Sequence, residues 1–133
     1  MPKDELEKNL HILKKLIKNC HHLGIKILEI PLVDASSLKS KLDEEQFIKN
    51  IQKALPDAEK NDVLITLESD LQPTRFKKLL ERFNHPNIRA NYDIGNSTSL
   101  GYNVVEELKE IGPWISNIHV KDRILHKIGR AHV

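Results

Sequence analysis

The sequence predicts a single α/β domain in which helices alternate with parallel strands. Four apolar segments suited to strands begin at positions 25, 63, 88 and 115. Apolar residues recur at helical spacing between them, and intervals of this length are typical of one βα unit. Four such units make half of an eight-stranded βα barrel, whose full length is about 250 residues. An open, doubly wound sheet of four strands fits the same periodicity.

Composition and charge narrow the class of protein. The chain has 133 residues, of which 39% are hydrophobic and 30% charged, as expected for one globular domain. Lys and Arg total 21 against 19 Asp and Glu, a formal charge of +2, so we expect no nucleic-acid partner. Cys20 is the only cysteine, which excludes an internal disulfide and a cysteine-based zinc cluster. No apolar run is long enough to span a membrane and no signal-peptide core follows Met1, so we expect a cytoplasmic protein without a membrane partner.

The C-terminal residues match a sequence of technical origin. One reading frame of a common short-read sequencing adapter (ATC GGA AGA GCA CAC GTC) translates to Ile128–Val133. The preceding adapter bases, AG, fit the end of a codon for Lys127. We therefore expect residues 127–133 to be a non-native tail and residues 1–126 to form the domain. On this interpretation the native protein continues beyond His126, and the chain is a fragment.

The first half of the chain predicts two helices and two strands. The first helix has one apolar face and ends near Gly24; that face comprises Leu6, Leu10, Leu13, Ile17 and Cys20. A strand over Ile25–Ile30 is expected to stop at Pro31. A second apolar helix face follows the acidic segment 43–45, and Pro56 is expected to kink or end that helix. The segment Val63–Leu67 is apolar enough to form a strand that is buried on both faces.

The second half predicts the same alternation. Thr74 is a suitable N-cap for a short helix, and Ile88–Tyr92 is the third strand. Asn103 is a suitable N-cap for the last helix, whose inward face is expected to contain Val104, Val105, Leu108 and Ile111. The segment Ile115–Val120 is the fourth strand.

Polar residues at the ends of the strands suggest a metal site. The second, third and fourth strands end at Glu68, Asp93 and His119. Any one of these residues alone is more often a cap or a surface group than a ligand. All three, however, occupy equivalent positions in consecutive units, and such positions converge on one rim of a barrel. Carboxylates and an imidazole suit Mn²⁺, Mg²⁺, Co²⁺ or Zn²⁺.

Other charged residues near this rim are candidates for substrate binding, for turns, or for indirect support of the metal site. Lys121 and Arg123 are candidates for binding a substrate phosphate, although a solvated basic loop accounts for them equally well. Four more acidic residues are interpreted mainly as turn residues, with indirect support of the metal site as the alternative; these are Glu29, Asp34, Asp70 and Asp122. Asp93 can also cap the turn that precedes Gly95.

Four segments carry a resemblance to a known family. They are Leu28–Leu38, Ile65–Asp70, Asn91–Ser97 with Gly101 and Tyr102, and Asn117–Arg123. Together they resemble the sugar phosphate isomerase/epimerase family of xylose isomerase-like TIM barrels. The resemblance implies a partial (β/α)8 TIM barrel that contains strands four to seven.

The resemblance also implies a mechanism. Family members bind a divalent metal through Glu, Asp, His and a further Glu on the eighth strand, and Glu68, Asp93 and His119 match the first three. The metal polarises a ketose carbonyl, and the glutamates on the fifth and eighth strands move a proton through an enediolate. Glu68 would then be both ligand and catalytic residue, and Asn96, Lys121 and Arg123 would bind a sugar or sugar phosphate. Because the partner of Glu68 has no counterpart here, we expect the chain alone to be inactive.

Two alternative functions remain open. The superfamily includes zinc-dependent apurinic endonucleases, but these typically have a His where this sequence has Asn96, and the near-neutral charge also disfavours DNA binding. A non-catalytic barrel that binds a sugar or a metal is the second alternative. Four strands cannot close a barrel, so we also expect a half-barrel to self-associate through its open edges.

Overall fold

The computed structural model describes residues 3–122 and contains the expected alternation of helices and strands. The five helices are α1 (Lys3–His22), α2 (Lys41–Lys60), α3 (Pro73–Phe83), α4 (Ile94–Ser99) and α5 (Val104–Ile111). The four strands are β1 (Ile27–Leu32), β2 (Leu64–Ser69), β3 (Ile88–Asp93) and β4 (Ile115–His119). Short 3-10 turns at Asp34–Ser36 and Gly112–Trp114 complete the order. No helix in this part of the chain has both the length and the apolar character needed to cross a membrane.

The strand order distinguishes between the two expected architectures. All strands are parallel, and they are hydrogen-bonded in the order β1-β2-β3-β4. A doubly wound sheet reverses its strand order at a switch point, whereas a barrel adds each strand beside its predecessor. The chain therefore folds as a partial TIM barrel of four parallel strands with alternating helices.

The two faces of the sheet differ in chemistry, because successive side chains of a strand point to opposite sides. One face packs under the helices and presents Leu28, Ile30, Ile65, Leu67, Ile88, Ala90 and Tyr92. The alternate positions of the same strands carry Glu29, Thr66, Glu68, Asn91, Asp93, Asn117 and His119. In a closed barrel this polar face lines the interior. The fold therefore places the candidate site residues on one face, toward the carboxyl ends of the strands.

The helices form a layer over the apolar face of the sheet. Helix α1 packs on α2, α2 packs on α3, and α3 packs on α5. Ile17, Ala54 and Leu79 are fully buried between these helices and the sheet. Ser40 begins α2 with a reciprocal capping box, in which its side chain accepts a hydrogen bond from the backbone N–H of Asp43. This packing holds the strands in register beneath the site.

Pro31 does not end its strand as predicted, and Pro56 does not end its helix, which was one of the two outcomes predicted for it. Strand β1 continues through Pro31 to Leu32. It pairs with β2 only, so the N–H that proline lacks costs no ladder hydrogen bond on the open side. Helix α2 continues through Pro56 to Lys60. Leu55 and Ala58 are buried on either side of Pro56, and their packing compensates for one lost helical hydrogen bond.

Two predictions about the later helices were also wrong. Helix α3 begins at Pro73 with Gln72 as N-cap, rather than at Thr74, because the fixed φ of proline suits the first helical position. In α5, Ile111 is buried, but Val104, Val105 and Leu108 are 38%, 60% and 44% exposed. The position that faces the sheet near Leu108 is taken by Glu107, whose carboxylate accepts hydrogen bonds there. The predicted cap of this helix is confirmed, since the Asn103 side chain accepts from the backbone N–H of Glu106.

Candidate metal centre

Strand register brings the candidate ligands to one rim. Pro31 pairs with Glu68, and Asp93 pairs with His119, so the carboxyl ends of neighbouring strands lie side by side. Glu29 lies two residues before Pro31 and therefore occupies the same face of the sheet as Glu68. Neighbouring strands in a sheet are about 4.8 Å apart, which is within reach of side chains that share a ligand.

Three of these side chains already form a group with metal-ligand spacing. Glu29, Glu68 and His119 each offer one atom, and these atoms lie within 4.8 Å of one another. Nε2 of His119 is 3.2 Å from Oε2 of Glu29. Sequence reasoning interpreted Glu29 mainly as a turn residue, because it ended the strand at Pro31. With the strand extended to Leu32, the alternation of faces would have identified Glu29 as a neighbour of Glu68.

Asp93 connects the site to helix α4. Its side chain is only 2% exposed, and Oδ1 accepts a 2.8 Å hydrogen bond from the backbone N–H of Asn96 as the cap of that helix. Oδ2 lies 2.8 Å from Nζ of Lys121 and 3.7 Å from Nδ1 of His119. Burial alone would raise the pKa of Asp93, but the Lys121 ammonium and the Asn96 N–H hold it below its usual value. Asp93 is therefore a carboxylate at neutral pH.

Glu68 has the opposite electrostatic environment. It is buried, and its Oε1 accepts a 2.7 Å hydrogen bond from the side-chain amide of Asn96. Burial is the main reason that the pKa of Glu68 is raised, and the neighbouring carboxyl of Glu29 raises it further. The Asn96 amide opposes this shift without cancelling it. The pKa of Glu68 is therefore raised while that of Asp93 on the same rim is lowered. Such a difference between neighbouring carboxyl groups is typical of sites that hold and release protons.

A short chain of amides orients the imidazole. The Asn117 amide donates to Oδ1 of Asn91 at 2.9 Å, and Nδ2 of Asn91 lies 3.2 Å from Nδ1 of His119. The other ring nitrogen, Nε2, faces Glu29. Sequence reasoning missed Asn91 and Asn117. Their positions on the polar face are the only signal that would have pointed to them.

The predicted substrate-binding residues have different surroundings. Asn96 contacts Glu68, and Lys121 forms an ion pair with Asp93. Arg123 and the predicted tail at 127–133 lie outside the described residues. A cavity of about 270 Å³ opens beside the site and includes Asn96 in its wall; its other lining residues are Val33, Asp34, Ser69, Asp70, Ser99 and Leu100. The cavity has polar and apolar lining residues, and the contact between Asn96 and Glu68 connects it to the candidate ligands.

A buried carboxylate on α5 supports the end of β3 and the start of α4. Glu107 on α5 is 5% exposed and accepts hydrogen bonds from the hydroxyls of Tyr92 at 3.1 Å and Ser97 at 2.8 Å. Burial raises the pKa of Glu107, although the two hydroxyl donors oppose the shift. Burial also raises the pKa of Tyr92, to about 12. Because Tyr92 precedes Asp93 and Ser97 follows Asn96, this network fixes the backbone on both sides of the α4 cap.

Comparison with known proteins agrees with this architecture. A family model described as xylose isomerase-like TIM barrel matches residues 1–132. No protein with curated function matches the sequence significantly. A xylose isomerase domain protein from Planctomyces limnophilus superposes with a TM-score of 0.79 at 19% identity, covering 96% of this chain and 45% of that one.

Two further structures are similar. The D-psicose 3-epimerase with D-tagatose from Clostridium cellulolyticum H10 has a TM-score of 0.75 at 16% identity, over 90% of this chain and 46% of that one. A xylose isomerase-like TIM barrel protein from Mycobacterium smegmatis in complex with magnesium has a TM-score of 0.74 at 17% identity, over 90% and 47% of the two chains. The chain thus spans about half the length of these structures. From the family match and the barrel topology, we conclude that the chain belongs to the xylose isomerase-like TIM barrel family.

Proposed function

We propose that this chain supplies the metal-binding part of a divalent-metal-dependent isomerase or epimerase that acts on a sugar or sugar phosphate. The observation that carries the proposal is the convergence of Glu68, Asp93 and His119 on one rim of the barrel segment. The two carboxylates belong to consecutive strands, and His119 follows on the next one, so the set does not depend on a mobile loop.

The residues present fit a divalent cation. Oδ2 of Asp93 is buried, and no donor among the described residues is oriented to hydrogen-bond to it. The Lys121 ammonium, 2.8 Å away, balances its charge. A buried carboxylate oxygen left in this state is suited to a metal, and two carboxylates with an imidazole match the preferences of Mn²⁺, Mg²⁺, Co²⁺ and Zn²⁺. Glu68, Asp93 and His119 would hold the ion. When bound, the ion supplies Lewis-acid polarisation of the substrate carbonyl.

Glu68 is the proposed proton carrier. Its raised pKa lets the carboxyl hold a proton closer to neutral pH than an ordinary glutamate, and its carboxylate form can take a proton from the carbon beside a carbonyl. Asn96 keeps Oε1 of Glu68 in place through its 2.7 Å hydrogen bond. The adjacent cavity, which Asn96 lines, would receive the sugar. Asn96, Lys121 and Arg123 are the proposed substrate-binding residues.

We further propose that residues 1–133 alone do not turn over substrate. Inversion of a carbon that uses two proton carriers needs a second acid or base on the opposite side of the substrate. The described segment covers four of the eight βα units of a barrel, and the opposite wall of a substrate site belongs to the other four.

The test follows carbon-bound hydrogen. The protein from the full open reading frame at the source locus is incubated in D₂O with Mn²⁺ and ketoses, with and without a phosphate group. Proton NMR then reports exchange beside the carbonyl. We expect metal-dependent exchange that Glu68→Gln abolishes, and no exchange with the 133-residue chain. Exchange that persists in the Glu68→Gln protein would contradict the role of Glu68.

A further inference from the structure

We infer that Glu29 is a direct ligand of the same cation, and that this chain by itself therefore offers four ligands. The inference rests on the proposed metal-dependent function and extends it to a residue on β1. Its geometric basis is the group formed by Glu29, Glu68 and His119, in which one donor atom from each residue lies within 4.8 Å of the others.

The spacing around His119 suits neighbouring ligands of one ion. Ligands at adjacent corners of an octahedron with bonds of about 2.1 Å lie about 3 Å apart. Oε2 of Glu29 and Nε2 of His119 are separated by 3.2 Å. Asn91 contacts the other ring nitrogen, Nδ1, so Nε2 is the nitrogen directed at Glu29.

The negative charge around Glu29 also favours the binding of a cation. Its side chain is 27% exposed and lies beside a second carboxyl group, that of Glu68. Within residues 3–122, the Glu29 carboxylate contacts the imidazole of His119, and no lysine or arginine reaches it. Two carboxylates that share one site repel each other when both are ionised, and a divalent ion between them removes that cost.

With Asp93 added to this group, the inferred ligand set draws on four strands. Glu29, Glu68 and Asp93 supply three carboxylates, and His119 supplies one imidazole. Each ligand comes from a different strand, β1 to β4, and so is held by the sheet. A cation bound in this way does not require a residue from outside the described segment.

Titration of the 133-residue chain with Mn²⁺ tests the inference, using calorimetry and the loss of free-Mn²⁺ signal in electron paramagnetic resonance. We expect one Mn²⁺ per chain. Glu29→Gln should weaken the affinity by at least about tenfold, as removal of a ligand costs no less than removal of a supporting group. Glu81→Gln, an exposed glutamate on α3, is the matched control and should leave the affinity unchanged.

A second variant separates ligation from a structural role. Glu29→His replaces an oxygen ligand by an imidazole, which suits Zn²⁺ better than Mn²⁺. We expect the ratio of Zn²⁺ to Mn²⁺ affinity to rise relative to the wild-type chain. A structural contribution of Glu29 would change both affinities together and leave that ratio unchanged. Far-UV circular dichroism identifies any variant that fails to fold.

The outcomes separate the inference from the proposed function. If Glu68→Gln loses Mn²⁺ while Glu29→Gln binds like the wild type, the inference is wrong and the proposed site stands. If the wild-type chain binds no Mn²⁺, the inference is also wrong, because four ligands from this chain would be insufficient. If neither Glu68→Gln nor Glu29→Gln changes the affinity, the proposed metal site itself is wrong. An unchanged Zn²⁺ to Mn²⁺ ratio in Glu29→His also overturns direct ligation.

Discussion

At the level of single residues, we expect Lys121 to control how readily the proposed site accepts a cation. Its ammonium lies 2.8 Å from Oδ2 of Asp93, a position that a divalent ion would compete for. The ion pair must therefore break when Asp93 becomes a ligand, and the ammonium also repels an arriving cation.

We predict that Lys121→Met binds Mn²⁺ several-fold more tightly than the wild-type chain, because Asp93 is then free of its competing partner. Calorimetric titration at constant ionic strength measures the change. Lys109→Met removes an exposed positive charge on α5 and is the control for a general charge effect. Equal affinities in the Lys121→Met and Lys109→Met proteins would show that the ion pair does not restrict access to Asp93.

The buried Glu107 predicts a pH dependence of stability. Its pKa in the folded chain is raised above the usual 4.5, so the fold favours the protonated carboxyl. The contribution of Glu107 to stability is therefore fully present below the unfolded-state pKa and is lost as the pH rises through the folded-state pKa. We predict that the free energy of unfolding of the wild type, relative to Glu107→Gln, falls between pH 4 and pH 7 in urea titrations.

Glu106→Gln controls for this measurement, since Glu106 is exposed on the same helix. Its difference from the wild type should vary little over that range. A wild-type stability that rises relative to Glu107→Gln as the pH increases would contradict the raised pKa.

Sequence reasoning selected Glu68, Asp93 and His119 because each follows an apolar strand segment at an equivalent position. Glu29 was harder to identify, since Pro31 made the end of its strand look two residues too early. Asn91 and Asn117 lie within strands that were predicted, but nothing in the sequence states which polar strand residues meet across neighbouring strands. Glu107 looked like an ordinary first-turn glutamate of a helix, and its burial depends on hydroxyl groups of Tyr92 and Ser97 that only the tertiary fold brings to it.

At the level of elements, local capping rules account for where several helices begin. Ser40 and Asp43 form a reciprocal capping box, whereas Thr74 lies exposed inside the first turn of α3 after Pro73. Ser and Thr are both suitable N-cap residues, because their side chains can accept a hydrogen bond from a free backbone N–H. The proline decides the second case, since it can occupy the first helical position without losing a hydrogen bond.

We predict that Ser40→Ala lowers the free energy of unfolding by about 1 kcal/mol, the usual cost of losing a serine cap. Thr74→Ala should change it by less than about 0.5 kcal/mol, because no cap is lost at that exposed position. Urea unfolding of the two variants measures both values. A larger loss in Thr74→Ala than in Ser40→Ala would mean that the start of α3 is wrongly placed.

Element types were easier to predict than element limits. The four strands follow from short apolar, β-branched runs, and four of the five described helices from apolar faces with 3.6-residue spacing. Helix α4 was not predicted, because Ile94–Ser99 has no apolar periodicity and depends on its cap at Asp93. The inward face of α5 was only partly predicted, because hydrophobicity alone does not indicate that a glutamate will be buried in preference to Leu108.

At the level of the whole molecule, the sheet has two open edges within residues 3–122. Strands β1 and β4 each pair with a single neighbour. Ile118 and Val120, on and just after β4, are 50% and 81% exposed. Unpaired strand edges with exposed apolar side chains are templates for association with another chain.

We predict that the chain self-associates at micromolar concentration and that a lysine placed on the β4 edge reduces this association. Sedimentation velocity over a range of concentrations compares the wild type with Val120→Lys. Val105→Lys is the control, since Val105 is 60% exposed on α5 and away from the edge. A wild-type chain that sediments as a monomer at every concentration would rule out edge-mediated association.

The assignment of the fold as a barrel depends on the order of the strands in the sheet. Periodicity alone allowed an open doubly wound sheet, and only the sequential strand order excluded it. The family match spans residues 1–132, while the similar structures are about twice as long as the segment that they share with this chain. The candidate site is therefore one side of a barrel interior, with its proposed metal ligands held at the strand ends.

Anomalous diffraction from crystals of the chain grown with MnCl₂ tests this arrangement most directly. The metal site proposed here predicts one strong manganese peak at the carboxyl ends of β2 to β4, within bonding distance of Glu68, Asp93 and His119. Direct ligation by Glu29 predicts that its carboxylate bonds to the same ion. A manganese ion bound elsewhere, with no metal bonded to Glu68, Asp93 or His119, would contradict the proposed metal centre.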